Sequence, residues 1–270
     1  MRKFLQLLRI EEWRAFLLIS LFGFLMAKGY LFPLEKIFLL YLTFFLFLGF
    51  GFLLNDCFDL KEDKFHLSKI NLILEKKISR KKAMAICFFL CFFGLFLSLI
   101  FNKNFFLFSL FGVLTVIFYS VPPMRLKGKP FLDLISHGFY GGVFFFLAPF
   151  LALSQKIGNL EGILSVVIFY FSVLLELRNH VEDYFFDKQA GLKTTACFLG
   201  KENSEKILNF LTSLYPIFLL FPFLVIKKFI FLFLILSFLF LLFFLKFKNY
   251  KILDFYNIFS LFLVFLAKIT

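Results

Sequence analysis

Cysteine is scarce, and the four that occur exclude more than they suggest. Cys57, Cys87, Cys91 and Cys197 match no metal-ligand spacing, and nothing about them implies a disulfide compartment. Cys87 and Cys91 lie one helical turn apart in an apolar run and read as small core residues. Acid is scarce too: 17 Asp and Glu stand against 30 Lys and Arg, a formal net charge of +13. No Gly-rich phosphate loop, serine-nucleophile motif or zinc site occurs. The three histidines, His66, His137 and His180, show no metal-ligand spacing, and His137 reads as a buried or interfacial residue. The chain also has too little polar character for a soluble fold. At 61% hydrophobic and a mean hydropathy of +0.92, it carries more apolar surface than a soluble domain can hide, so its solvent is a bilayer.

Phe alone contributes 51 of the 270 residues. An aromatic-lined pocket would use only a few of them, so most are expected at lipid-facing positions. A criterion of about 17–25 apolar residues per crossing marks nine candidate spans: 15–32, 37–56, 83–101, 105–121, 131–153, 161–179, 207–226, 229–245 and 252–268. The hairpin between 101 and 105 is tight. The N-terminus is basic (Arg2, Lys3, Arg9, Arg14) and then apolar, but no small-residue cleavage site follows, so a retained span is expected. Trp13 suits a membrane interface.

With nine spans, 23 of the 30 Lys and Arg fall on one side, in the N-terminus and the loops 59–82, 122–130, 178–206 and 246–251. That bias places the N-terminus and the long loops in the cytoplasm, and it accounts for the basic charge without nucleic acid. Asp56, Asp59, Asp63, Asp133, Asp183 and Asp187 lie at or near the same ends of the spans, and Asp254 begins the last one on that side. Chemistry is therefore expected at that face.

Two acidic stretches stand out. The first, Asn55-Asp56-Cys57-Phe58-Asp59-Leu60-Lys61-Glu62-Asp63, emerges directly from a long apolar run, where an uncompensated carboxylate is costly. Its acids are spaced three and four apart, so they share a helical face, with Lys64, His66 and Lys69 just beyond. In the second, Glu176, His180, Asp183 and Asp187 recur at four, three and four residues, and Gly191 is a plausible helix stop before Lys193, Thr194 and Thr195. Either stretch alone reads equally as a solvated helix end with acids paired to nearby lysines. Together, two carboxylate faces at one membrane depth suit a diphosphate clamped through Mg²⁺, a cation usually held by one or two carboxylates plus phosphate oxygens.

A third stretch runs from Tyr119 to Pro130. Pro122 and Pro123 end the preceding span sharply, and Arg125, Lys127 and Lys129 are then offered to the same aqueous face. These cations suit either ordinary membrane anchoring or neutralisation of a leaving diphosphate.

On these residues the chain resembles the UbiA superfamily of intramembrane prenyltransferases. Asn55, Asp56, Asp59 and Asp63 fit its Asn-Asp-x-x-Asp-x-x-x-Asp motif. Asp183, Asp187 and Gly191 fit its Asp-x-x-x-Asp-x-x-x-Gly motif, with Thr194 or Thr195 following. Tyr119-Ser120-x-Pro122-Pro123-x-Arg125-Leu126-Lys127 looks like the loop of chlorophyll-synthase-like members. Two features depart from the pattern. Lys69 to Lys76 replaces the usual Arg-Pro turn, and His180 stands where relatives are often acidic.

The resemblance implies an all-α polytopic membrane protein: nine transmembrane helices in a bundle, one domain over residues 1–270, with cytoplasmic helical loops over a central cavity. It implies Mg²⁺ at Asp56, Asp59, Asp63, Asp183 and Asp187, with Asp56, Asp59, Asp183 and Asp187 catalytic. Asn55, Tyr119, Arg125, Lys127, Arg178 and Lys188 would bind the diphosphate of a prenyl diphosphate. The acceptor would be an aromatic, tetrapyrrole or lipid-type molecule, and Phe and Tyr rings would shelter the allylic cation. The competing readings are a transporter with a paired-carboxylate ion site, a CDP-alcohol phosphatidyltransferase and a silent isoprenoid-binding relative. Transporter sites lie near the midplane on broken helices, whereas these acids lie at span ends. The phosphatidyltransferase pattern of Asp-Gly and Ala-Arg is missing.

Overall fold

The structure is a computed structural model that describes residues 2–66 and 70–270, with side chains from residue 5 onward. Lys69 therefore lies outside the described residues, as do the side chains of Arg2 and Lys3. The helices in chain order are α1 (Arg2–Leu7), α2 (Arg14–Met26), α3 (Leu34–Phe58), α4 (Arg80–Phe101), α5 (Lys103–Ser120), α6 (Leu132–His137), α7 (Phe144–Ala152), α8 (Asn159–Glu182), α9 (Tyr184–Ala190), α10 (Thr195–Leu199), α11 (Lys201–Ile226), α12 (Ile230–Phe247) and α13 (Tyr250–Ile269). No strand occurs among the described residues.

Eight of the expected spans are helices long and apolar enough to cross a bilayer, with α6 and α7 joined as one over Leu132–Ala152. The first is shorter than the apolar run suggested. Helix α2 has 13 residues, roughly 20 Å of rise against an apolar bilayer core of about 30 Å. The rest of that run turns at Lys28, which is left-handed, and at Gly29–Leu31, before Pro33 opens α3.

Local chemistry accounts for the other boundaries. Ser79 caps α4 by accepting from the Lys82 N–H. Asn102 makes the tight hairpin: its Oδ1 accepts from the Phe105 N–H at 2.9 Å, while its Nδ2 donates to the Leu151 carbonyl at 2.8 Å. One side chain thus caps α5 and ties it to the end of α7. Helix α5 stops at Ser120, just before Pro122 and Pro123, as expected. Helix α9 stops at Gly191, whose φ of +75° is the left-handed conformation glycine adopts without strain.

The helices pack as a ring. α3 lies against α4, α2 against α7, α8 against α11, and α12 against α13. The ring closes at the end of α13, where Lys268 Nζ donates to Glu161 Oε1 of α8 at 2.7 Å and to the Met26 carbonyl of α2 at 2.9 Å. Buried polar pairs lock the later helices, as the Ser237 and Tyr256 hydroxyls do at 2.8 Å. Outward faces are apolar: Phe88, Phe89, Phe92, Phe93 and Phe96 of α4 are all exposed. Fewer than half of the described Phe side chains are exposed in this way, and the others pack wholly or partly inside the bundle. Between α6 and α7 the backbone widens into a π-helical turn over Gly138–Val143. Such turns are frequent at functional sites, and this one carries Tyr140 to the central cavity.

Candidate active site

The first acidic motif keeps helical spacing past the end of α3. The Asp59 N–H bonds to the Asn55 carbonyl at 2.9 Å, and the Asp63 N–H to that of Asp59 at 2.8 Å. All three acids turn inward and are buried, Asp59 completely. Buried carboxylates are tolerated only with partners, and each has one. Arg9 donates to Asp56 at 3.0 Å, Arg125 to Asp59 at 3.0 Å with Lys127 on its other oxygen, and Asn71 to Asp63 at 2.7 Å. Arg125 also pairs with Glu62 at 3.0 Å. Burial pulls the Lys127 ammonium down, but Asp59 beside it wins and holds it charged above the ordinary lysine range. Burial likewise opposes charge on Arg9, which Glu12 and Asp56 overcome.

The second motif straddles the junction of α8 and α9. Asp183 ends α8, and the Asp187 N–H returns to its carbonyl at 3.0 Å. Thr194 donates to Asp187 Oδ2 at 3.3 Å. Burial pushes the Asp187 carboxyl up to about 6, against the pull of Lys127 and His180. The two motifs meet at His66, whose Nε2 lies 2.9 Å from Asp183 Oδ1 and whose ring packs 4.5 Å from that of Phe186. Residues 117 positions apart in sequence thereby share one mouth.

That mouth opens on a cavity of about 540 Å³. Asn55, Asp63, His66, Lys127, Asp183 and Asp187 form its polar rim, while Phe47, Leu48, Val113, Phe144 and Phe145 line its depth. Asp56, Asp59 and Arg125 stand behind the rim, and Arg178 and Lys188 are also off the cavity wall. Arg178 holds Asp254 through both oxygens at 3.2 Å, and Lys188 lies over the Tyr184 ring at 5.5 Å.

The rim fits a hard divalent cation. Its donors are carboxylate and amide oxygens, and Asn55 Oδ1 is buried without a hydrogen-bond partner. No three His, Cys, Asp or Glu side chains make a preassembled metal site among the described residues.

Between rim and depth lies a layer that residue spacing only partly revealed. Glu176 is buried and accepts from the Tyr119 hydroxyl at 2.6 Å, with His180 Nε2 at 3.2 Å and His137 Nε2 at 3.5 Å. Tyr140 packs edge-on against both Tyr119 and His137, with ring centroids 5.2 Å apart. His180 reaches Asp133 at 3.5 Å; Asp133 in turn accepts from the Thr195 N–H at 2.6 Å and hydroxyl at 2.5 Å. The four-residue spacing of Glu176 and His180 was the one local signal. Arg9, Asn71, Tyr140 and the Asp133 junction gave none, because their partners come from distant segments.

The UbiA prenyltransferase family profile matches residues 16–269. The digeranylgeranylglyceryl phosphate synthase of Saccharolobus solfataricus is 28% identical over 87% of this chain and 82% of its own, and that of Pyrococcus horikoshii is 26% identical over 72% and 69%. A UbiA homologue from Archaeoglobus fulgidus, solved with DMAPP and Mg²⁺, superposes with a TM-score of 0.79 at 25% identity, covering 98% of this chain and 97% of that one. With GPP and Mg²⁺ bound, the same homologue gives a TM-score of 0.75 at 25% identity and the same coverage. This polytopic membrane protein belongs to the UbiA prenyltransferase family.

Proposed function

We propose that residues 1–270 act as one prenyltransferase unit that moves the prenyl group of a polyprenyl diphosphate onto a lipid-type alcohol, a prenylated glycerol phosphate. One observation carries this reading: both acidic motifs and Lys127 converge on the rim of a single cavity whose depth is aromatic and apolar. Such a cavity matches a molecule with a charged head and a hydrocarbon tail. The choice of acceptor follows the digeranylgeranylglyceryl phosphate synthases among the relatives.

In this proposal Asn55, Asp63, Asp183 and Asp187 would hold Mg²⁺ at the rim, and the ion would supply positive charge that offsets the diphosphate. Asp56 and Asp59 act one step behind, Asp59 by aiming Lys127 at the diphosphate and Asp56 by fixing Arg9. Arg125 braces Asp59 and Glu62, while Arg178 and Lys188 contribute through the fold rather than by contact. The allylic C–O bond breaks with its electron pair going to the diphosphate. The acceptor oxygen then forms the new C–O bond and gives up its proton to the polar wall, where Glu176, His137 and His180 are the proton-accepting groups. The Tyr119 and Tyr140 rings and the Glu176 carboxylate face the allylic cation and favour it over the neutral ground state. The aromatic lining excludes water, which would otherwise capture the cation as a free alcohol.

Purified protein in nanodiscs, given geranylgeranyl diphosphate and geranylgeranylglyceryl phosphate, is expected to release diphosphate and form the diether only with Mg²⁺. Asp187→Ala is expected to lower turnover by at least about a hundredfold, the scale of a lost electrostatic contact to a developing charge, and Asp56→Ala by less, because Asp56 acts through Arg9. Full activity of both variants, or activity in excess chelator, would sink the two-motif reading. Ion-dependent uptake into liposomes with no new lipid would favour a transporter instead.

The Lys and Arg bias supports a cell-membrane location with the N-terminus and rim on the cytoplasmic side. In a background without native cysteines, Lys193→Cys is expected to resist an impermeant thiol reagent applied from outside, and Lys156→Cys to react. The reverse pattern would invert the topology.

A further inference from the structure

The Phe144 and Tyr140 rings stand between the cavity and a groove on the outer side of the bundle. Phe47 lies eight residues before Asn55 on α3, roughly 12 Å below the rim, and Phe144 packs edge-on against it with ring centroids 5.9 Å apart. Phe144 is buried, stacks on Phe108 at 5.3 Å and touches Phe145 edge-on at 5.2 Å. A second, small groove lies on the far side of that ring, where α5 meets the π turn and α7. It shares Gly112, Tyr140 and Phe144 with the main cavity, and Phe111 and Phe139 on its rim are exposed on the outer surface. Removing the Phe144 ring would therefore thin the wall between the cavity and a groove at the outer surface.

The ring has no slack. A Cβ placed on Gly112 would lie 2.7 Å from Phe144 Cδ2 and 2.8 Å from Cε2, closer than carbon atoms approach. The backbone of α5 is what the ring rests on, and only glycine permits it. A methyl group there has to push the ring away from α5, and the space that can yield is the cavity. Two single substitutions on different helices should thus move one wall in opposite directions.

We propose that Phe144, seated on Gly112, is the stopper that sets donor chain length. Resting on the prenyl-transfer reading above, it admits tails that end above the ring and turns away longer ones. Longer tails would have to pass where the ring stands, and with the ring gone they would extend toward the groove. Shorter tails stop above it and do not register its position.

The test is the ratio of kcat/KM among geranyl, geranylgeranyl and hexaprenyl diphosphate with one acceptor, in the parent, Phe144→Ala, Phe144→Leu and Gly112→Ala. Phe144→Ala is expected to raise the hexaprenyl-to-geranylgeranyl ratio by at least about tenfold, the scale on which a hydrophobic pocket discriminates, and Phe144→Leu by less. Gly112→Ala is expected to shift preference the other way, from geranylgeranyl toward geranyl. If Phe144→Ala does not fold, the Leu and Gly112 variants carry the test. Ratios unchanged from the parent in the folded variants would overturn the stopper and leave prenyl transfer standing. A parent that unfolds cooperatively yet turns over no donor would overturn both.

Discussion

Asn71 does two things from one buried side chain. Its Nδ2 donates to Asp63 Oδ2 at 2.7 Å and to the Asp56 carbonyl at 3.1 Å, so it fixes the Asp63 carboxylate of the rim to the backbone of α3. Asn71→Ala leaves two buried acceptors short of a donor, at a cost of about 1–3 kcal/mol. A lowered midpoint of thermal unfolding and a raised Mg²⁺ requirement are the expected outcomes; a variant indistinguishable from the parent in both would refute the role. Asp187 works in the opposite sense. Its carboxyl titrates near 6, above the usual range, because it is buried. The folded chain therefore binds this proton more tightly than the unfolded chain. The stability it contributes is present at acid pH and is lost as pH rises through about 6. Asp187→Asn should then be more stable than the parent above that pH when divalent cations are absent, with the gap closing by about pH 4. Equal midpoints at pH 7.5 would contradict the assignment.

Among elements, the junction of α6, α8 and α10 matters most for the rim. Asp133 is fully buried and is met by Thr195 from the start of α10 and His180 from α8. Thr195 Oγ1 also accepts from the Phe131 N–H at 2.7 Å, and Phe131 sits at a left-handed φ of +66° that this contact helps to maintain. The loop carrying Arg125 and Lys127 is thereby held against the segment carrying Asp187 and Thr194. Asp133→Ala leaves two buried Thr195 donors unpaired and takes from His180 one of its two carboxylates, and should cost about 3–5 kcal/mol. Asp133→Asn keeps part of the hydrogen bonding and should cost less, as equilibrium unfolding in detergent would measure. Equal losses would mean that Asp133 acts by packing alone.

At the scale of the whole molecule, the rim depends on a ring of spans that is closed at its opposite end. Lys268 makes that closure with Glu161 and the Met26 carbonyl. Because Lys268 is partly exposed, Lys268→Met should cost only about 1–3 kcal/mol. The KM for donor diphosphate should stay at the parental value, since the clamp is remote from the rim. A raised KM with unchanged stability would place Lys268 in a functional role that its position gives no reason to expect.

Hydropathy alone marked out the spans, because lipid-facing and core-facing positions of a membrane helix are both apolar and the run length carries the signal. Pro122 with Pro123, and Gly191, showed their boundaries, since breakers act within a few residues, whereas the Asn102 cap came only with the structure. The run 15–32 misled in length: Lys28 and Gly29 turn the backbone while the composition stays greasy. Both acidic motifs were legible from spacing, and the Lys and Arg bias put them at one face; that both line one cavity is decided by packing. Which acids face the cavity was not legible. Asp63 and Asp183 line it while Asp56 and Asp59 stand behind it, a division made by Arg9, Arg125 and Lys127 arriving from other segments. The Glu176 layer, the Asp133 junction and the Phe144 wall rest equally on contacts between residues far apart in the chain. Periodicity reports which face of a helix a residue occupies, and only packing decides what stands opposite.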